Sequence, residues 1–445
     1  MNFSQMKEIL FREAKKAGLT DYDVYYRMGE SISADAIGKK PNSFSSGTAG
    51  GISFRCAVNG RIGAASTQSL VKEDLVALVA RAIANAAIVD PDEEPIFFEG
   101  SESYAATTVP VPELPDAATV RRAAMELQEK LFAASDKMTD SAISEAGGSV
   151  VTISLANSRG LDLSHRAGRH FTAVEAVVND GGEPADDFAL AASLNVAELD
   201  IAERATAGAL AKIGAGLVKT GTYDVIFDAR QVRSLLSAFT SIFSGKNALL
   251  GLSLLAGKEG QQVAAECLTL IDDPFFDGNT MQMPFDAEGV ATYEKKVIDK
   301  GVLTTLLYDL TNAKKAGKKT TGNAARGSVD APVAIAPYCL RVDAGDYTPD
   351  ELLARLGNGI YITEMKGLHA GADDVTGDFS IESAGFLVEN GKKTKPVHSF
   401  SVAGNFFDLL KAIDGVANVV EYGTPSASMI AAPDVLVRGL SVAGE

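Results

Sequence analysis

Four histidines, three cysteines and a few adjacent acids are the side chains in this sequence whose spacing could support chemistry. His165 and His170 bracket Arg166-Ala-Gly-Arg169. A metal-binding histidine pair of a peptidase needs a glutamate base beside it, whereas two arginines repel a cation. Five residues apart on a strand, the two rings also point to opposite faces. The expectation is two solvent-facing polar residues. His369 lies in Gly367-Leu-His-Ala-Gly-Ala-Asp-Asp374, a glycine-rich loop with two neighbouring carboxylates. Loops hold binding residues out of proportion to their length, so His369, Asp373 and Asp374 form the candidate polar cluster, although a plain solvated loop is the leading reading. His398 follows Pro396-Val397 at the start of a strand and reads as structural. The acid pairs Asp186-Asp187 and Asp272-Asp273 flank turns, and solvation accounts for both.

Other chemistries are excluded by what is missing. Phe243-Ser-Gly-Lys-Asn247 looks like the end of a phosphate-binding loop, but Thr240 occupies the position of its first glycine and Asn247 that of its magnesium-binding hydroxyl. The chain has no Gly-x-Ser-x-Gly elbow and no Gly-x-Gly-x-x-Gly fingerprint opening a helix after a strand. Cys56, Cys267 and Cys339 stand far apart, which gives neither a disulfide framework nor a cysteine zinc knuckle and suits a reducing compartment. The formal net charge of −17 would repel nucleic-acid phosphates. The densest basic stretch, Lys314, Lys315, Lys318 and Lys319 beside Gly317 and Gly322, reads as a solvated turn. No basic-then-apolar leader opens the chain, and no apolar run reaches the ~18 residues of a membrane span. A cytoplasmic protein that binds neither DNA nor membrane is expected.

The elements that must position these residues follow from periodicity. Residues 4–17 carry Met6, Ile9, Leu10, Ala14 and Ala17 at helical spacing and stop at Gly18. Strands follow over 23–28, 51–58 and 61–66, the last two joined by Asn59-Gly60, and a helix spans 71–87. After a polar, proline-bearing linker over 91–115 the order repeats. A helix covers 117–134, strands 150–157 and 171–179, and a second helix 196–213. The fold class is therefore α+β, with a duplicated helix–antiparallel strands–helix domain over residues 1–220. The character changes near Gly221. Residues 222–228 alternate like a half-buried strand, and 231–243 present Val232, Leu235, Leu236, Phe239, Ile242 and Phe243 on one helical face. Hairpins turn at Asp299-Lys-Gly301 and Asn390-Gly391, and short helices are expected over 349–356 and 406–413. Residues 221–445 form a mostly antiparallel, β-rich C-terminal domain.

Several blocks of this second half resemble one family. They are Asp286-Ala-Glu-Gly289, Val297-Ile-Asp-Lys-Gly-Val-Leu303, Tyr308-Asp-Leu310, Thr321-Gly-Asn-Ala-Ala-Arg326, Val375-Thr-Gly-Asp-Phe-Ser380, Ala384-Gly-Phe-Leu-Val-Glu-Asn-Gly391, Pro396-Val397 and Ala403-Gly-Asn405. Their order over nearly all of residues 221–445 is similar to the TldD/PmbA (TldE) family, sometimes labelled "modulator of DNA gyrase", and the Gly-Asp-Phe-Ser and Gly-Phe-Leu-Val-Glu-Asn-Gly forms resemble its PmbA/TldE branch. The resemblance implies a cytoplasmic, heteromeric peptidase in which TldD- and TldE-type subunits pair and act on unfolded peptides. In TldD-type subunits a helix bears His-Glu-x-x-x-His, and a cysteine near the C-terminus completes a zinc site. Those two histidines lie about 140° apart around a regular helix, so the helix must be distorted or end there.

The matching stretch here is Leu235-Leu-Ser-Ala-Phe-Thr-Ser-Ile242. Ser237 and Ile242 stand at the histidine positions and Ala238 at that of the glutamate. No cysteine follows Cys339, and Gly423-Thr-Pro-Ser426 lies where it would be sought. The resemblance therefore implies no catalytic and no metal-binding residue in this chain, no cofactor of its own, and a TldD-like partner that carries the zinc. Two other readings remain open: an autonomous hydrolase using His369 with Asp373 or Asp374, and a homodimeric regulatory or peptide-binding protein without proteolysis.

Overall fold

The computed structural model describes residues 1–88 and 96–445, so the start of the linker expected over 91–115 lies outside the described residues. The Asn2 side chain caps the helix Phe3–Lys16, whose apolar spacing turns Met6, Ile9, Leu10 and Ala14 inward. Three strands follow, Tyr22–Ile37, Lys40–Val58 and Arg61–Thr67, and then the helix Lys72–Ala86. The second unit repeats this order with the helix Ala117–Ala134, the strands Ile143–Asn157, Asp162–Val178 and Ala185–Ala191, and the helix Ile201–Lys212. Each unit is a three-stranded meander. The two join through their first strands, Tyr22–Ile37 against Ile143–Asn157, antiparallel with Arg27 opposite Ile153, in one six-stranded sheet.

Each unit keeps its own core. Phe54, Ile52, Leu75 and Leu78 close the first, and Val120, Leu127, Val174 and Ile201 the second. Gly63 is required where the Lys72–Ala86 helix crosses its sheet, because a Cβ there would stand 2.0 Å from the Ala82 carbonyl oxygen. Tyr25, Val151, Ile153 and Leu155 pack instead against Met283, Phe285, Val329 and Tyr338 of the second half.

In the second half, five strands close into a ring. Lys392–Asn405, Asp378–Glu389, Gly359–Lys366, Gly221–Phe227 and Val435–Ala443 pair in that order, and the last returns to the first. A second sheet runs Val302–Leu303, Lys295–Asp299, Leu270–Asp272, Cys339–Val342, Met429–Ala432, Glu421–Tyr422. Two pairings are parallel, Gly359–Lys366 with Gly221–Phe227 and Cys339–Val342 with Met429–Ala432, and the rest of both sheets is antiparallel. The three expected hairpins turn where both central residues carry positive φ: Asn59 and Gly60, Lys300 and Gly301, Asn390 and Gly391.

Several expectations need correction. The N-terminal strands are far longer than the alternating segments that announced them, because Gly- and Ser-rich stretches such as residues 43–51 continue the ladder without an apolar signal. A third strand, Ala185–Ala191, completes the second unit. The helix expected over 196–213 divides into a short turn at Val196–Glu198 and the helix Ile201–Lys212. No helix among the described residues is long and apolar enough to cross a membrane.

Candidate functional site

The helix that carries positions 237 and 238 begins at Asp228, whose carboxylate caps it by accepting from the Gln231 amide at 2.8 Å. Its apolar stripe, Val232, Leu235 and Leu236, faces the largest core. The α-helix spans Ala229–Ala238 and tightens into a 3-10 turn over Thr240–Phe243, so the single helix expected over 231–243 is broken. Thr240 contributes to the break, its hydroxyl donating back to the Leu236 carbonyl at 2.6 Å. This break divides the three positions of interest. Ser237 is exposed and Ala238 half-buried. Ile242 is 0% exposed and packs with Phe239 and Phe243, and the Phe239 ring lies 4.3 Å from that of Phe406. Ser237 and Ile242 therefore do not line a common surface.

Two further segments reach this helix. The loop of residues 367–378 lies against it, and the Ser241 hydroxyl donates to the Asp374 carboxylate. Asp373 turns away. Its carboxylate accepts from the amides of Val375 and Thr376 at 2.9 and 3.1 Å, and the Thr376 amide in particular holds its pKa below the usual carboxylate range. His369 sits exposed on the short helix Leu368–Gly371. Of the candidate cluster His369, Asp373 and Asp374, only Asp374 is thus brought to the helix. The other segment is the Glu421–Tyr422 strand with residues 423–426, where the Arg233 guanidinium lies beside Gly423 and the Arg169 guanidinium donates to the Pro425 carbonyl at 2.8 Å. Among the described residues, no group of three or more His, Cys, Asp or Glu side chains is placed to hold a metal ion.

Residues read as solvated turn out to be ties. His165 shares a 2.7 Å hydrogen bond with the Gln282 carbonyl, and burial lowers its pKa; His170 does the same with the Glu113 carbonyl at 2.7 Å. Asp272 is fully buried. It accepts from Lys295 Nζ (3.0 Å), Asn323 Nδ2 (2.7 Å) and the amides of Tyr338 and Cys339 (2.8 and 3.1 Å). Asp187 joins Lys212 and Arg230 at 3.3 and 3.0 Å, linking the first half to the helix at Arg230. Lys314 and Lys315 belong to the helix Leu310–Ala316, and Lys318 pairs with Glu259. Burial pushes the Cys56 thiol up to about 11 and raises Cys339 further, so neither is an activated nucleophile.

A cleft of about 660 Å³ lies between the two halves, lined by residues to which local sequence patterns give no role. One wall is the sheet face bearing Ser53, Arg55 and Ala64, and the other carries Glu288, Asn312 and Arg326. The sequence does carry a signal, since Arg326 and Glu288 belong to the blocks Thr321–Arg326 and Asp286–Gly289 that bear the family resemblance.

Similarity to known proteins agrees with this architecture. The chain matches the models "PmbA/TldA metallopeptidase domain 1" over residues 22–86, "central domain" over 109–213 and "C-terminal domain" over 220–444. Metalloprotease PmbA of Escherichia coli O157:H7 is 27% identical over 293 residues, which cover 65% of this chain and 62% of that protein, less than two thirds of its length. A candidate modulator of a DNA gyrase from Thermotoga maritima superposes with a TM-score of 0.89 at 28% identity, over 99% of this chain and 100% of that one. TldE from Thermococcus kodakarensis has the same fold, with a TM-score of 0.88 at 22% identity over 99% and 100% of the two chains. With its C-terminal match alone spanning half the sequence, the chain belongs to the PmbA/TldD metallopeptidase family.

Proposed function

We propose that this chain is the zinc-less, TldE/PmbA-type subunit of a TldD/TldE-type peptidase, working in the cytoplasm on unfolded peptides beside a TldD-like partner that holds the metal. One observation carries the reading. The helix of residues 229–238 and the turn after it are folded and packed, yet they present a hydroxyl, a methyl and a buried branched alkyl group at Ser237, Ala238 and Ile242. Zinc needs imidazole, thiolate or carboxylate donors, and an attacking water needs a base. The residues present do not fit the metal, and no hydrolytic step is assigned to them. The polar groups nearby are committed elsewhere, Asp374 to Ser241 and Asp373 to its own turn. This speaks against an independent hydrolase built on His369.

The test mixes this chain with its TldD-like counterpart and assays an unstructured peptide with and without chelator. Hydrolysis by the mixture, absent from this chain alone and stopped by chelator, is the expected result. Stoichiometric zinc in the isolated chain, or chelator-sensitive hydrolysis by it unaided, would overturn the proposal.

A further inference from the structure

The cleft between the halves contains a guanidinium, that of Arg326, which makes no ion pair among the described residues although the charges of Asp23 and Glu288 act on it. Arg326 lies over the Tyr25 ring, 5.0 Å from its centroid, and among the described residues its Nη1 donates only to the Ser53 hydroxyl, at 3.4 Å. Its Nε is buried without a hydrogen-bond partner among the described residues. Arg55 beside it is already paired with Asp23, and the Arg61 guanidinium donates to the Ala87 carbonyl at 3.2 Å. The acids of the wall are engaged as well, Asp330 at the exposed rim by the Ser328 hydroxyl at 2.6 Å, which holds its pKa below the ordinary value. Asp309 caps the helix Leu310–Ala316 and accepts from the Asn312 amide and side chain, while Glu288 accepts from the Leu310 amide at 2.9 Å. Burial pushes Glu288 up to about 7, which thins the negative charge facing Arg326. Exposed Lys246 adds a further cation at the rim.

We propose that this cleft binds the C-terminal carboxylate of an extended peptide on Arg326. A desolvated guanidinium with free donors is built for a planar, singly charged carboxylate. Glu288 and Asp309 stand in the same space, so they oppose a singly charged carboxylate less than a dianionic phosphate. The cleft face of the sheet bears small side chains, Ser53, Ala64 and Ser66, that leave room for a chain. Arg61–Thr67 is an edge strand with a single ladder neighbour, Lys40–Val58, which suits main-chain contact with an extended ligand. The inference rests on the peptide-handling role proposed above, but its test needs no partner, so either can fail without the other.

The probe is a short unstructured peptide with an N-terminal fluorophore, compared with its C-terminally amidated twin by anisotropy on the isolated full chain. The free acid is expected to bind roughly tenfold or more tightly than the amide, the range of a charge-assisted hydrogen bond. Arg326→Gln should abolish that difference. Because Arg326 stacks on Tyr25, Lys246→Met serves as a second variant at an exposed site, expected to weaken the free acid roughly threefold and leave the amide unchanged. Equal affinities for acid and amide, no binding of either, or full discrimination retained in either variant would overturn the proposal.

Discussion

Asp272 offers the sharpest test of how this fold holds its working parts. Its Oδ2 accepts from Lys295 Nζ and Asn323 Nδ2, and its Oδ1 from the Tyr338 and Cys339 amides. The Asp272 side chain is 0% exposed and that of Lys295 5%. Asp272→Asn is nearly isosteric, yet either orientation of the amide sets an NH2 against two donors and leaves Lys295 buried without a counter-charge. Breaking a buried pair in this way costs about 3–5 kcal/mol. Lys295→Met should cost less, about 1–3 kcal/mol, because the carboxylate keeps three of its four donors. For a domain the size of the second half, the Asn variant should lower Tm by roughly 6–20 °C. Urea unfolding of both variants, with scanning calorimetry, gives the comparison. A loss under about 1 kcal/mol for Asp272→Asn, or a larger loss for Lys295→Met, would refute the reasoning. The consequence reaches the cleft, since Asn323 lies three residues before Arg326 and loses one of its two acceptors, keeping only the Ala336 carbonyl.

Three other outcomes are expected. Burial, opposed by Arg230, pushes Asp228 up to about 7 from an ordinary 3.8; a raised folded pKa means that its contribution is present below the ordinary value and is lost as pH rises through about 7. Asp228→Asn keeps an oxygen for the Gln231 amide, so urea titrations should show up to about 4 kcal/mol less decline between those limits than in the parent, and an unchanged pH slope would count against it. Gly63→Ala should cost about 1–3 kcal/mol in urea unfolding because its methyl meets the Ala82 carbonyl, and a neutral result would mean that the helix moves aside freely. Phe239→Ala should cost about 3–5 kcal/mol by removing a ring stacked on Phe406, measured by thermal unfolding with zinc-free buffers to exclude metal effects.

What the sequence made legible was what depends on local rules. The N-terminal duplication was readable because each helix announces its own apolar stripe, and the Asn-Gly turns because positive φ favours those residues. The long strands extend beyond their apolar signal, since residues 43–51 are mostly exposed serines and glycines paired in register with Tyr22–Ile37, and pairing leaves no trace in hydropathy. The closed ring in the second half was hidden for a similar reason: Val435–Ala443 and Gly221–Phe227 meet across two hundred residues, a distance no periodicity spans. Charged pairs misled in the other direction. Asp272-Asp273 looks like a solvated turn in sequence, because nothing local shows that Lys295 and Asn323 converge on it. Arg326 is visible as a motif member but silent as chemistry, since nothing local shows which charges surround it.

The two ends of the helix turn carry the remaining argument. Had the positions matching a zinc site merely lost their donors, polar or solvent-facing remnants would be expected at both. Ser237 fits that picture, but Ile242 does not. Its side chain is wholly buried among Phe239 and Phe243, so on the proposed reading one of the matching positions is taken up by packing. A histidine placed there would enter an apolar site, where the desolvated ring favours its neutral form. On the proposed reading, the catalytic role is therefore not one substitution away: restoring it would require the core around Phe239, Phe243 and Phe406 to open as well, and the same packing keeps the helix in place as a wall for whatever a partner subunit processes.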